Sequence, residues 1–167
     1  SALRCFRKYQ SMSEELLLSY FVTSLPQVRS KSNYRSTRAK SGAWREFAEF
    51  EKHASLLLRQ SMPNDWVLGD AQDTILYRPQ VISCVVASTM LDAGNISKSV
   101  LDAAEGVVYH NDASVRAVTQ LIRRSSKGQS GAVGFAMISS EITDEQVFQA
   151  LCELSLRTLE HWSSTQL

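Results

Sequence analysis

The side chains best suited to chemistry in this chain are clustered cations. Arg29, Lys31, Arg35, Arg38 and Lys40 are interleaved with Ser32, Asn33, Tyr34, Ser36 and Thr37, and no acid interrupts them before Glu46. A second group, Arg116, Arg123, Arg124 and Lys127, begins 76 positions after Lys40. Such clusters suit neutralisation of a phosphate backbone, since each Lys or Arg that contacts a phosphate releases a counterion. Ser36 and Thr37 add neutral hydrogen bonds to phosphates, or to bases if a helix N-terminus enters a groove. The competing interpretation of the first cluster is a solvated loop ahead of an ordinary helix.

Other chemistry is poorly supplied. His110-Asn-Asp112 has no second histidine cluster to complete a metal site, and Asp112 serves better as a helix cap. Gly128-Gln-Ser-Gly131 lacks the spacing of a nucleophile elbow. Glu14, Glu15, Asp144 and Glu145 fall where first helical turns are expected and complement the helix dipole. Cys5, Cys84 and Cys152 are odd in number with no Cys-x-x-Cys, which favours reduced thiols over a disulfide framework or a zinc site. No cofactor and no small-molecule substrate are expected.

The chain's 167 residues, 44% hydrophobic and 21% charged, suffice for one domain with a buried core, or one domain with an appended helix. The apolar runs Leu16–Leu18 and Val81–Met90 are too short or too interrupted to cross a bilayer, so no membrane partner is expected and an intracellular setting, cytoplasmic or nuclear, is. Charge is uneven. Residues 1–52 hold ten Lys and Arg against five Asp and Glu, whereas residues 128–167 hold Arg157 alone against five acids. The basic half can face a polyanion and the acidic tail must point away from it.

The elements that would position the cations read as helices. Ser11 with Glu14 forms a capping-box pattern, predicting a helix over roughly 13–24. Ala43, Phe47, Phe50, Ala54 and Leu57 recur at helical spacing, with Trp44 and Leu58 widening the stripe, in a second helix that begins near Ser36 or Thr37 and ends before Pro63. Residues 61–77 read as a connection. Pro79 and Gly94 bracket an apolar third helix at the centre, residues 95–111 give a fourth, and Asn111 or Asp112 caps a fifth that runs to the basic cluster. Residues 125–134 are Ser- and Gly-rich, and Thr143-x-x-Gln146 opens a last helix. The expectation is an all-α fold: a basic arm at 1–10, a bundle of four to five helices at 11–126, a flexible linker at 127–140 and a C-terminal helix at 141–167.

Leu17-Leu-Ser-Tyr-Phe-Val-Thr-Ser-Leu25, Tyr34-Arg-Ser-Thr-Arg38 and Trp44-Arg-Glu-Phe-Ala-Glu-Phe50 resemble the N-terminal core-binding domain of tyrosine recombinases, the phage-integrase-like enzymes. The resemblance covers roughly 14–124 and implies a clamp on duplex DNA, with recombination and DNA integration as the setting. The family's catalytic set of Arg, Lys, His-x-x-Arg and a Tyr nucleophile cannot be assigned: His53, His110 and His161 are followed three residues on by Leu56, Ala113 and Ser164. The resemblance therefore implies a non-catalytic part of such an enzyme.

Two functional readings result. The first is a DNA-binding module with Arg29, Lys31, Arg35, Ser36, Thr37, Arg38, Lys40, Arg116, Arg123, Arg124 and Lys127 against phosphates. The second is a non-enzymatic all-α interaction domain, viral or regulatory, that forms a homo-oligomer through its C-terminal helix. RNA in the basic groove is compatible with the same charges.

Overall fold

The computed structural model describes residues 16–25, 28–29, 42–66, 80–125 and 130–166. They form a four-stranded mixed sheet between two helical layers, so the all-α expectation is overturned. In chain order the elements are β1 (Leu17–Leu25), α1 (Gly42–Ser61), β2 (Gln80–Ser88), α2 (Ala93–Ala104), a 3₁₀ turn (Asp112–Ser114), β3 (Val115–Arg123), β4 (Gly131–Ile138) and α3 (Asp144–Thr165).

Three stretches expected as helices are strands, each for its own reason. In β1, Phe21, Thr23 and Leu25 are buried at every second position, the strand period. β2 is buried along almost its whole length because it lies inside the sheet with helices on both faces, and such strands read as unbroken apolar runs. β3 carries Val115, Val118, Leu121 and Ile122 at spacings of three and four that mimic a helix, but it is an edge strand with an irregularity where it pairs with Val81 and Ile82. The stretch expected as a linker supplies β4, which lies between β1 and β2.

The sheet order is β1-β4-β2-β3, antiparallel except for the parallel pair β2/β3, which α2 connects. One face of the sheet, with Phe21, Val85, Val133 and Phe135, packs against Phe47, Phe50, Ala54 and Leu58 of α1 and Ile96, Val100 and Ala103 of α2. The other face, with Ile82, Cys84, Val86, Ala136 and Ile138, is covered by Val147, Ala150, Leu151, Leu154 and Trp162 of α3. Gly134 lets α3 approach closely: a Cβ there would collide with Thr158 Oγ1 and lie 3.0 Å from Leu154 Cδ1. α3 opens with the expected capping box, Gln146 N–H donating to Thr143 Oγ1 (3.2 Å) and Thr143 N–H to Gln146 Oε1 (2.9 Å). No helix among the described residues is long and apolar enough to cross a membrane.

Candidate functional site

In register, Leu25 pairs with Gly131, Gly131 with Ala87 and Ala87 with Ile122, so one row crosses all four strands. β1, β2 and β3 finish at this row and β4 begins there. Open α/β sheets bind ligands outside the carboxyl ends of their strands, and α2 starts at that position, straight after β2.

Several polar groups converge on this end. Ser88 N–H donates to Ser130 O (2.9 Å) and Thr89 N–H to Arg123 O (3.0 Å), extending the sheet pairing past the strand ends. Buried Thr89 accepts from Leu91 N–H through its hydroxyl (3.1 Å), shaping the turn into α2. Asp92 caps that helix: its carboxylate accepts from Gly94 N–H at 2.9 Å, and the residue is exposed. Beyond it, Asn95, Lys98, Asp102 and Glu105 follow at spacings of three and four, forming one polar stripe along α2 opposite buried Ile96, Val100 and Ala103. Lys98 is exposed on this stripe.

The arginines that end β3 diverge. Arg123 lays its guanidinium over Trp162 of α3, 4.6 Å from the ring centre. Arg124 Nη1 donates to Leu91 O at 2.6 Å, tying the end of β3 to the β2–α2 turn. Both residues are exposed and, among the described residues, neither pairs with a carboxylate.

The residues expected to bind phosphates are thus sorted by position. Arg29 follows β1 at the same end of the sheet as Arg123 and Arg124, three strand spacings or about 14 Å across. It is half-buried and forms an ion pair with Glu46 at 3.6 Å. Arg116 lies at the opposite end of β3, about 23 Å from Arg123 along the strand. There its guanidinium donates to Asp144 (2.8 Å) and Gln80 (2.9 Å), so a helical face shared by Arg116 and Arg123 does not exist. Lys31, Arg35, Ser36, Thr37, Arg38, Lys40 and Lys127 lie outside the described residues. Asp92, Asn95 and Lys98 were not singled out by the sequence reading, although an Asp-x-x-Asn-x-x-Lys run at helical spacing after an apolar strand was there to find.

At the far end of α2 sits Tyr109, fully buried, its hydroxyl donating to Leu101 O (2.5 Å). Burial, and then the charges of Asp112, Glu105 and Asp102, push this phenol well above its ordinary range. Among the described residues no three or more His, Cys, Asp or Glu side chains gather to hold a metal ion. Asp92 and Glu105 stand at opposite ends of α2, about 20 Å apart along the helix. Cys84 is a buried free thiol packed under α3, and Cys152 is a free thiol exposed on it.

The family model described as endodeoxyribonuclease RusA matches residues 25–131, well over half of the chain. No curated relative matches. The match overturns the resemblance to tyrosine recombinases and removes the ground for DNA integration. Its limits, Leu25 and Gly131, are register partners in the row described above. The matched segment contains α1, β2, α2 and β3; almost all of β1 and β4, and α3, lie outside it.

Proposed function

The chain belongs to the RusA endodeoxyribonuclease family, and on that premise we propose that it cleaves DNA, with the four-way (Holliday) junction as its substrate. The observation that carries this reading is the family match together with what its segment presents at one end of the sheet: an exposed carboxylate, an exposed lysine and two arginines that meet no carboxylate among the described residues.

Hydrolysis of a phosphodiester needs a group that takes a proton from the attacking water, and positive charge where the phosphate becomes more negative. Asp92 is the candidate for the first task. One of its oxygens is held by Gly94 N–H, which fixes the carboxylate while the exposed side leaves it open to water. Lys98, about 9 Å further along the axis of α2, is the candidate for the second. Arg123 and Arg124 serve as flanking phosphate contacts that set the position of the strand but do not read its sequence. Lys31, Arg35, Ser36, Thr37, Arg38 and Lys40, which follow Arg29 in the chain, and Lys127, which follows Arg124, are proposed as further phosphate contacts.

A four-way junction has paired strands to cut, which suits an enzyme with two-fold symmetry. Phe148, Cys152 and Leu156 are exposed at spacings of four along α3, which supports a homodimer through the C-terminal helix. A DNA substrate places the protein in the cytoplasm or nucleus. The test is cleavage of a synthetic four-way junction beside a linear duplex of the same sequence. Cleavage confined to the junction and lost in Asp92→Asn supports the reading; a variant as active as the parent chain overturns the role of Asp92.

A further inference from the structure

Arg123 is held by a residue that the family match does not reach. Trp162 lies near the end of α3, is 2% exposed, and carries the Arg123 guanidinium over its ring at 4.6 Å. Its Nε1 is buried and has no hydrogen-bond partner among the described residues. An orphaned buried donor is unfavourable, and phenylalanine would supply an aromatic ring without one. What the indole adds is the strongest aromatic face for a cation.

A second stack in the molecule shows the contrast. Arg157 lies over Tyr20 at the same 4.6 Å, but its N–H groups are spent on Glu153 (2.8 Å) and the Tyr20 hydroxyl (2.8 Å). Among the described residues, Arg123 has no such hydrogen bond and no ion pair. Stacking occupies the flat face of a guanidinium and leaves its in-plane N–H fork for an oxyanion. Arg123 pairs in register with Ser88, so its backbone stands at the sheet end where Asp92 begins α2, with the guanidinium on the face that α3 covers.

We propose that Trp162 is a positioning residue that holds the Arg123 guanidinium edge-on to a DNA phosphate at the carboxyl end of β3. The proposal rests on the DNA-cleaving reading above and extends its site to α3. The ring fixes the plane of the fork, which lowers the entropy lost when it engages a phosphate bidentately.

The experiment is a binding titration of four-way junction DNA between 50 and 200 mM salt, with single-turnover cleavage, on the full chain and on Arg123→Ala, Arg123→Lys, Trp162→Phe, Trp162→Leu and the Trp162→Leu/Arg123→Ala double variant. Arg123→Ala is expected to lower the salt slope by about 0.9, the loss of one phosphate contact. Trp162→Leu weakens binding about two- to fivefold, with the cleavage rate at saturation unchanged, and adds nothing in the Arg123→Ala background. Trp162→Phe keeps a ring and stays within about twofold of the parent chain. Arg123→Lys keeps the charge without the planar fork and binds about two- to fivefold more weakly, an arm that holds even if Trp162→Leu fails to fold. Equal weakening by Trp162→Leu with and without Arg123, or parental binding by Arg123→Lys, overturns the proposal while leaving the DNA-cleaving reading in place. No junction binding by the parent chain overturns both.

Discussion

β3 carries arginine near each end, and the two ends treat it in opposite ways. At the start of the strand, Arg116 is a clasp: Asp144 and Gln80 hold its guanidinium, and it fastens the head of α3 to the sheet. At the finish, Arg123 rests on an aromatic face and Arg124 donates to a backbone carbonyl, and among the described residues neither meets a carboxylate. The acids follow the same division. Asp102, Glu105 and Asp112 surround buried Tyr109 toward the closed end, whereas Asp92 stands exposed at the open end, where Arg123 ends β3 and Arg124 follows it. Counting positive residues therefore does not locate a phosphate-binding surface. The partner of each cation decides whether it is part of the scaffold or available to a ligand.

The largest effect that sharpens this contrast is on cleavage. Asp92→Asn should reduce junction cleavage by about 10²-fold or more while binding persists, because asparagine caps a helix as well as aspartate and only the charge is lost. Lys98→Ala should cost a similar factor, about 10²-fold, in the single-turnover rate. An Asp92→Asn enzyme of normal rate would show that the open end is not where chemistry occurs.

Next in size is an effect at the closed end, read in stability. Tyr109→Phe removes the hydrogen bond to Leu101 O and should cost about 1 kcal/mol at neutral pH, measured by denaturant unfolding. The alkaline behaviour follows from the raised phenol. In the unfolded chain this hydroxyl ionises near pH 10, while the folded protein still holds the proton, so its contribution is intact below about pH 10 and declines as pH rises above it. Unfolding free energies at pH 8 and 10.5 should fall less steeply in Tyr109→Phe than in the parent chain; identical slopes would contradict the assigned burial.

The smallest effect is that of Arg116→Ala. An ion pair this accessible is worth about 0.5–1 kcal/mol, which should appear as a modest drop in melting temperature with junction cleavage unchanged. Lost cleavage in a folded Arg116→Ala protein would erase the distinction between the two ends.

How much of this was legible in the sequence depends on the element. α1 and α3 were readable because Phe47, Phe50 and Ala54, and Val147, Ala150, Leu151 and Leu154, keep helical spacing against one sheet face each, and the Thr143–Gln146 box fixes where α3 starts. β2 was not, because burial on both faces erases the alternation that marks a strand. β4 was hidden by Gly131 and Gly134, which suggest a hinge until α3 is seen pressed against the second. Misreading β2 as a helix running to Gly94 placed Asp92 in a helix interior, whereas it is the cap of the next helix, and so concealed the polar stripe of α2. Charge in the second basic cluster was visible, but the sorting of Arg116 from Arg123 was not, because it depends on Asp144 and Trp162 brought in by α3 from outside the matched segment.

The most direct test compares salt titrations of junction binding for Arg123→Ala/Arg124→Ala and Arg116→Ala. If the end of the sheet where β2 and β3 finish faces DNA, the first variant loses about 1.8 from the salt slope, two phosphate contacts, and the second keeps the parental slope. A parental slope in the first variant, or an equal loss in both, would contradict it.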